Sequence, residues 1–158
     1  MNEMLGNQYF MARKYSEALS VYEECVQQDK SNNLIMKKMV ICYTQVGKIQ
    51  KAAELLYKII QNNLDLILFT DPLKEDCPCD ELAFNLETKY DKTLKSFDYL
   101  LALGVLWLYC DLNKSIEYFT EALQLKPDNK LINSILVILT KRKKQDSKQF
   151  DHHSSWQN

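Results

Sequence analysis

The sequence predicts an all-α protein that is assembled from stacked pairs of helices, and two observations favour that fold. The chain has 158 residues but only 3 Gly and 3 Pro, whereas sheet proteins use many of both in their turns. The amphipathic segment KYSEALSVYEECVQQD at 14–29 recurs as KIQKAAELLYKIIQNN at 48–63, which is 34 positions later. A repeat of this period usually indicates stacked units that cannot bury their apolar faces alone.

Residues 1–63 are expected to form two regular units of two helices each. The two quoted segments are the second helices of these units. A further helical segment precedes each of them, MLGNQYFMAR at 4–13 and IMKKMVICYTQVG at 35–47. Gly47 is expected to end its helix in the left-handed conformation that glycine adopts without strain.

A third copy of the unit is expected at 98–127. Its second helix, SIEYFTEALQLKPD at 115–128, carries Phe119 and Ala122 at the spacing of the earlier copies. Pro127 lies where this helix should stop, because proline cannot continue a helix. The three copies therefore predict three similar helix pairs.

Small residues recur at matched positions of the three units, and they predict close packing between helices. Gly6 and Gly104 would let the two helices of a unit approach each other, because glycine has no Cβ. Ala18, Ala52 and Ser115 are small for the same reason. Aromatic side chains are expected to fill the gaps around them: Tyr9, Tyr22, Tyr43, Trp107 and Phe119.

A 34-residue helix–turn–helix with a Leu-Gly-x-x-Tyr cluster, as at 5–9, and a central Ala resembles the tetratricopeptide repeat (TPR). The resemblance covers residues 1–63 and about 98–128. It implies a short TPR-type solenoid of antiparallel helix pairs, which a C-terminal capping helix would close.

Residues 64–97 interrupt the repeat and are expected to form a degenerate unit. The aligned positions Ala52 and Ser115 lie 63 residues apart, almost two periods. An apolar run opens the segment and predicts a shortened first helix. The acidic, proline-containing stretch at 71–79 predicts a loop. Apolar residues at three- and four-residue spacing then predict a second helix at about 80–91.

The chain after Pro127 is expected to form the capping helix at 128–144. Its apolar stripe consists of Leu131, Ile132, Ile135, Leu136 and Leu139. The basic run Lys141–Lys144 suits the negative end of a helix dipole. Residues 145–158 are polar and aperiodic, so a flexible tail is expected there.

The sequence carries no recognisable constellation of catalytic residues. It lacks a glycine-rich phosphate loop, Gly-x-Ser-x-Gly and His-Glu-x-x-His. Its two histidines, His152 and His153, fall in the expected tail, where a general base would not be positioned. We therefore expect a protein that is not an enzyme and that uses no cofactor.

Cys77-Pro78-Cys79 raises the question of a metal or redox site. The usual zinc spacing is Cys-x(2–4)-Cys, so no metal ligand is assigned. The odd total of 5 cysteines and the mixed, polar start of the chain favour a reducing intracellular setting. We expect two exposed, reduced thiols in an acidic loop, and a metal- or redox-responsive regulatory module on this loop is the alternative.

Charge and hydropathy bear on the class of partner. The net charge is −1 and the pI is about 6.1, which disfavours a nucleic-acid partner. The longest apolar run, at 99–110, is shorter than the roughly 20 residues that a membrane span requires. We expect a cytoplasmic protein, and the basic run Lys141–Lys144 also matches a nuclear localisation signal.

The TPR resemblance implies that the first helices line a concave groove that binds a partner protein. The groove residues that it assigns are Asn7, Phe10, Met11, Lys37, Ile41, Thr44, Gln45, Leu101, Val105 and Leu108. A subset of the family clamps the carboxylates of heat-shock chaperone C-termini with paired cations. That clamp is not expected here, since Glu3 stands where it needs Lys and Leu101 and Val105 where it needs Lys and Arg.

The expected function is that of an adaptor or scaffold subunit, which holds a partner peptide or helix in the groove. The groove grades from polar in the first unit to apolar in the last. An apolar groove is either reserved for a partner or filled by the chain itself, and the run at 64–70 could fill it. Self-assembly into a TPR oligomer is a further alternative.

Overall fold

The computed structural model describes residues 2–89 and 95–154, and in these two stretches it is all-α. The helices pack mostly in sequential antiparallel pairs, as the predicted fold class requires. Their bounds are α1 Glu3–Met11, α2 Tyr15–Gln28, α3 Asn33–Gln45, α4 Ile49–Asn62, α5 Asp65–Leu68, α6 Cys79–Lys89, α7 Phe97–Trp107, α8 Leu112–Leu125 and α9 Lys130–Ser154.

Three helix pairs, α1–α2, α3–α4 and α7–α8, form the body of the molecule. The second helices α2, α4 and α8 have 14 residues each, and α4 begins 34 positions after α2. The first helices are capped at their start, since the side chains of Asn2, Asn32 and Ser96 each accept a hydrogen bond from a backbone N–H of the first turn. The two similar segments of the sequence are therefore the second helices of two antiparallel pairs.

Glycines bring the paired helices into direct contact, as the sequence predicts. A Cβ at Gly6 would lie 2.7 Å from Cε1 of Tyr22, and one at Gly104 would lie 2.9 Å from Cδ1 of Phe119. Both distances are too short for non-bonded carbon atoms. Ser115 also contributes, because its hydroxyl donates to the carbonyl oxygen of Gly104 at 2.6 Å.

The turns inside the first two pairs share one conformation. Gly47 ends α3 with φ +81°, which confirms the expected left-handed cap. Arg13 occupies the same place 34 positions earlier and has φ +62°. Nothing in the residue type of Arg13 signals this conformation, which costs a non-glycine residue roughly 1–2 kcal/mol.

Residues 64–97 differ from the expected degenerate unit. The short α5 and the loop before α6 are present, but α5 packs against α4 and α6 packs against α7. These two helices do not form a pair, and α4 packs directly on α7. The segment is therefore an insertion between two pairs that stack on each other. Residues 90 and 91 of the helix expected at 80–91 lie outside the described residues.

The last helix is longer than expected. α9 packs against α8 and α4, as a capping helix should, but it continues through the expected tail to Ser154. The chain has neither Gly nor Pro after Pro127, and extending an existing helix is much easier than starting one. Arg142 ties α9 to α5 through an ion pair with Asp65 at 2.6 Å.

No helix in the described stretches combines the length and the apolar character that crossing a membrane requires. The run at 99–110 lies within α7 and the turn after it, and ten of its residues, 100–109, are buried in the core.

Candidate functional site

A cleft of about 260 Å³ lies between α1, α3 and the loop that follows α5. It contains four of the predicted groove residues, Asn7, Phe10, Lys37 and Ile41. The remaining lining residues are Glu3, Leu34, Ile35, Lys38, Thr70, Lys74, Glu75, Cys77 and Tyr109. The first two units therefore bring four of their seven predicted groove residues together at one site.

Helical spacing explains why these residues meet. On α3, Leu34, Lys37, Lys38 and Ile41 are three or four positions apart, so they share one face of the helix. On α1, Asn7 and Phe10 are related in the same way. Each helix buries its opposite face against its pair partner, which leaves this face toward the cleft.

Asn7 is held by two donors at the base of the cleft. The hydroxyl of Tyr22 donates to Asn7 Oδ1 at 2.8 Å, and Lys38 Nζ donates to the same oxygen at 2.8 Å. The ammonium group of Lys38 also lies 5.5 Å from the centroid of the Phe10 ring, within cation–π range. These contacts fix the position of a cation inside the cleft.

Lys38 has no carboxylate within ion-pair distance in the part of the chain that the structure describes. Burial lowers the pKa of its ammonium group, and nearby carboxylates, that of Asp76 first, act in the opposite direction. A half-buried cation that is held by an amide and a ring still attracts an anion. This edge of the cleft is therefore suited to an acidic group.

Lys37 is paired, in contrast to its neighbour. Its Nζ lies 2.6 Å from Oε1 of Glu75, and its side chain is only 6% exposed. The backbone oxygen of Lys37 accepts a hydrogen bond from the hydroxyl of Tyr109 at 2.7 Å. Burial holds the pKa of Tyr109 well above its usual value, so the hydroxyl stays a donor. Tyr109 thereby links the end of α7 to α3.

The other predicted groove residues of the first two units lie outside this cleft. Thr44 and Gln45 line a second cavity of about 650 Å³, together with Leu86, Tyr99 and other residues of α6 and α7. Met11 is exposed but lies in neither cavity lining. One continuous groove across the three units is therefore not what the structure shows.

Leu101, Val105 and Leu108 differ most from the prediction, since each is at most 1% exposed. They belong to the same buried cluster as Ile67 and Cys79 of the insertion. The packing of α7 against α3, α4 and α6 buries this helix, which the family's residue positions alone could not indicate. A partner cannot reach these three side chains in this conformation.

Several cleft residues were not among the predicted site residues. Lys38 is one of them, although it lies one turn after Leu34 on the same face of α3. Thr70, Lys74 and Glu75 come from the insertion, and no periodicity in the sequence connects them to α3. Their place in the cleft depends on how the insertion folds back.

The Cys77-Pro78-Cys79 loop corrects the expectation of exposed, reduced thiols. Cys77 and Cys79 form a disulfide, and Cys79 is buried at the start of α6. Cys77 lines the cleft. Among the described residues, no group of three or more His, Cys, Asp and Glu side chains could hold a metal ion. The side chains of His152 and His153 lie outside the described part.

Comparison with models of known protein families finds no match for this chain, and comparison with curated protein sequences finds none. What is established is an all-helical domain of about nine packed helices in the described residues. The packing of these helices and the chemistry of the cleft are therefore the basis for a functional proposal.

Proposed function

We propose that the protein is an adaptor or scaffold subunit of the TPR type, which binds a peptide or helix of a partner protein in the cleft between α1 and α3. Three features support the TPR-type assignment: the second helices α2 and α4 start 34 residues apart, Gly6 packs against Tyr22, and Gly104 packs against Phe119. Protein binding through the first helices is what the resemblance implies.

The observation that carries the proposal is the half-buried Lys38 in a cleft whose lining combines apolar with polar and charged side chains. Phe10, Ile35 and Ile41 form the apolar wall, and Asn7 holds the cation in place. Binding pockets typically combine apolar walls with a few fixed polar groups. A volume of about 260 Å³ suits one anchoring side chain of a protein partner, since drug-sized ligands usually occupy about 300–1,000 Å³.

Site-dependent capture would test this function. Leu34 lies at the cleft and is 58% exposed, whereas Val137 lies on α9 and is 67% exposed. The Leu34→Glu and Val137→Glu variants introduce the same charge at two exposed aliphatic positions, so both should fold. Each variant and the wild type would be immobilised on beads and incubated with an extract of the cells that express the protein. The captured proteins would be quantified by mass spectrometry.

The expected result is a protein that the wild type and Val137→Glu capture equally and that Leu34→Glu captures at least tenfold less, because about 1.4 kcal/mol of lost contact energy corresponds to a factor of ten. Capture that is the same for all three proteins would contradict the proposal. So would the loss of capture only in Val137→Glu.

The disulfide favours a second candidate, a redox-responsive module. Two thiols and an oxidised disulfide such as glutathione disulfide would exchange to give the Cys77–Cys79 bond and two reduced thiols of glutathione. The same capture assay, run with and without dithiothreitol, separates the candidates. A constitutive adaptor captures its partner equally in both states, whereas a redox-responsive module captures it in one state.

A further inference from the structure

Residues 71–77, which we call the strap, form a compact turn that bonds mainly to itself. Asp71 Oδ1 accepts hydrogen bonds from the backbone N–H groups of Leu73 and Lys74 at 3.0 and 3.1 Å. The backbone N–H of Asp71 donates to Glu75 Oε2 at 2.6 Å, and the N–H of Cys77 donates to the carbonyl oxygen of Pro72 at 3.0 Å. The strap therefore keeps its shape through local contacts.

The strap is seated in the proposed binding cleft. Lys74, Glu75 and Cys77 line it, and Glu75 reaches Lys37 on α3 with an ion pair of 2.6 Å. Among the described residues, this is the polar side-chain contact that joins the strap to α3. Glu75 thus occupies a position that a carboxylate from another chain could occupy.

Other parts of the strap fit the cleft poorly. Leu73 is 93% exposed, so its apolar side chain gains nothing from the body of the protein. Asp76 Oδ2 is buried and has no hydrogen-bond partner in the described part of the chain, which is unfavourable for a carboxylate. Asp76 also has φ +51°, a strained conformation for a residue other than glycine. These features weaken the seating of the strap.

We propose that the strap is an internal competitor for the cleft, and that the partner's anchor is an acidic side chain that replaces Glu75 on Lys37. This inference rests on the proposed function, since it names the chemistry of the partner and the way in which the site is regulated. Lys38, which pairs with no described carboxylate, provides a second cation for the incoming acid.

The competition is between a tethered segment, the strap, and an untethered partner. A segment on a short tether has an effective concentration of about millimolar at its own site. An untethered partner displaces it when the partner makes contacts that the strap does not make. The open contacts here are the ammonium group of Lys38 and the exposed side chain of Leu34.

The strap itself supplies the probe for a direct test. The probe is a fluorescein-labelled peptide that copies residues 70–78 with Cys77→Ser. The receptor is the full chain in which residues 71–76 are replaced by six Gly and Ser residues, and circular dichroism would check its helices. Fluorescence anisotropy should show binding to this receptor and none to the wild type, in which Glu75 of the strap is already paired with Lys37.

Two altered probes serve as matched controls. A probe with Glu75→Gln should bind about tenfold or more weakly, because it loses the charge-assisted hydrogen bond to Lys37. A probe with Leu73→Ala should bind about as well as the original, since the Leu73 side chain is 93% exposed and contributes little to the seating of the strap. A folded receptor that binds no probe, or one that binds the Glu75→Gln probe equally, would overturn the inference.

A second variant covers the case in which the replaced chain does not fold. The full chain with Glu75→Gln keeps its strap but loses the ion pair. Hydrogen exchange of the strap amides should then be about tenfold faster or more than in the wild type, with exchange in α3 unchanged. Unchanged strap exchange would show that Glu75 does not hold the strap in the cleft.

The outcomes separate this inference from the proposed function. Leu34-dependent capture of a partner, together with a receptor that does not bind the probe, would overturn the inference that the strap competes for the cleft. The proposed adaptor function would then still hold. Binding of the probe together with capture that is independent of Leu34 would support an acid-binding cleft and overturn the adaptor function.

Discussion

At the scale of single residues, two glycines set the distance between paired helices. Gly6 and Gly104 lie against the rings of Tyr22 and Phe119, and no side chain larger than hydrogen fits at either contact. Cores are packed densely, so an extra methyl group must push its neighbour away. The role of these glycines is steric, since neither has a positive φ.

Gly104→Ala is expected to lower the free energy of unfolding by about 1–3 kcal/mol, because the new Cβ would overlap the Phe119 ring. Adding Phe119→Leu should relieve the overlap. The double variant should therefore lose less free energy of unfolding than the sum of the two single losses, by at least about 0.5 kcal/mol. Urea unfolding of all four proteins measures this coupling.

Gly6→Ala combined with Phe119→Leu provides the matched control. The Gly6 contact is with Tyr22 in another helix pair, so these two losses should add. Additive losses for Gly104→Ala and Phe119→Leu would contradict the steric explanation.

At the scale of whole elements, α9 illustrates the difference between forming a helix and anchoring it. Ile132, Ile135 and Leu139 are fully buried against the preceding helices, whereas the side chains of residues 143–151 are exposed. A helix without tertiary contacts is marginal in water. The exposed end of α9 is thus an extension of a well-packed helix.

Hydrogen exchange should divide α9 into two parts. The amides of residues 134–140 should exchange slowly, because opening them disrupts the core, and those of residues 146–154 should exchange within the earliest time points. Mass spectrometry of peptides from the two parts measures the difference within one sample. Equal protection along the whole helix would mean that contacts other than the described ones hold its end.

At the scale of the whole molecule, the core buries several groups that ionise at high pH. Burial raises the pKa of the Cys42 thiol from 9.0 to about 12, and that of the Tyr43 hydroxyl from 10.0 to about 12. Burial also raises the pKa of Tyr22 and Tyr109. Each group is neutral in the folded protein at a pH at which it ionises in the unfolded chain.

The ionisation of Cys42 is therefore expected to leave the free energy of unfolding unchanged below pH 9 and to lower it as pH rises from 9.0 to about 12. Above pH 9 the unfolded chain binds fewer protons than the folded protein, so each such group removes about 1.4 kcal/mol per pH unit. Urea unfolding at pH 8, about 10 and about 11 measures the slope for the wild type and for Cys42→Ala.

The Cys42→Ala variant should be less stable at pH 8, because it leaves a small cavity, but its stability should fall less steeply at higher pH. Burial of the tyrosines is common to both proteins, whereas the charge of a Cys42 thiolate raises the pKa of Tyr22, Tyr43 and Tyr109 further in the wild type alone, which adds to the difference. Parallel curves would mean that the thiol does not stay neutral in the folded state.

Local sequence patterns predict the three main helix pairs. The 34-residue spacing, the small residues and the position of Gly47 are local patterns, and local patterns specify helices, turns and the faces that pack together. Four predicted groove residues, Asn7, Phe10, Lys37 and Ile41, do line one cleft, because helical spacing and pairing are enough to bring them there.

Only the tertiary structure decided which part of the groove is open. The insertion between the second and third pairs has no periodic partner in the sequence, so its path depends on long-range packing. That path places Ile67 in one buried cluster with Val105 and sets Glu75 on Lys37, which is 38 positions earlier in the chain. No local pattern specifies which distant residues meet in this way, and the folded chain alone brings them together.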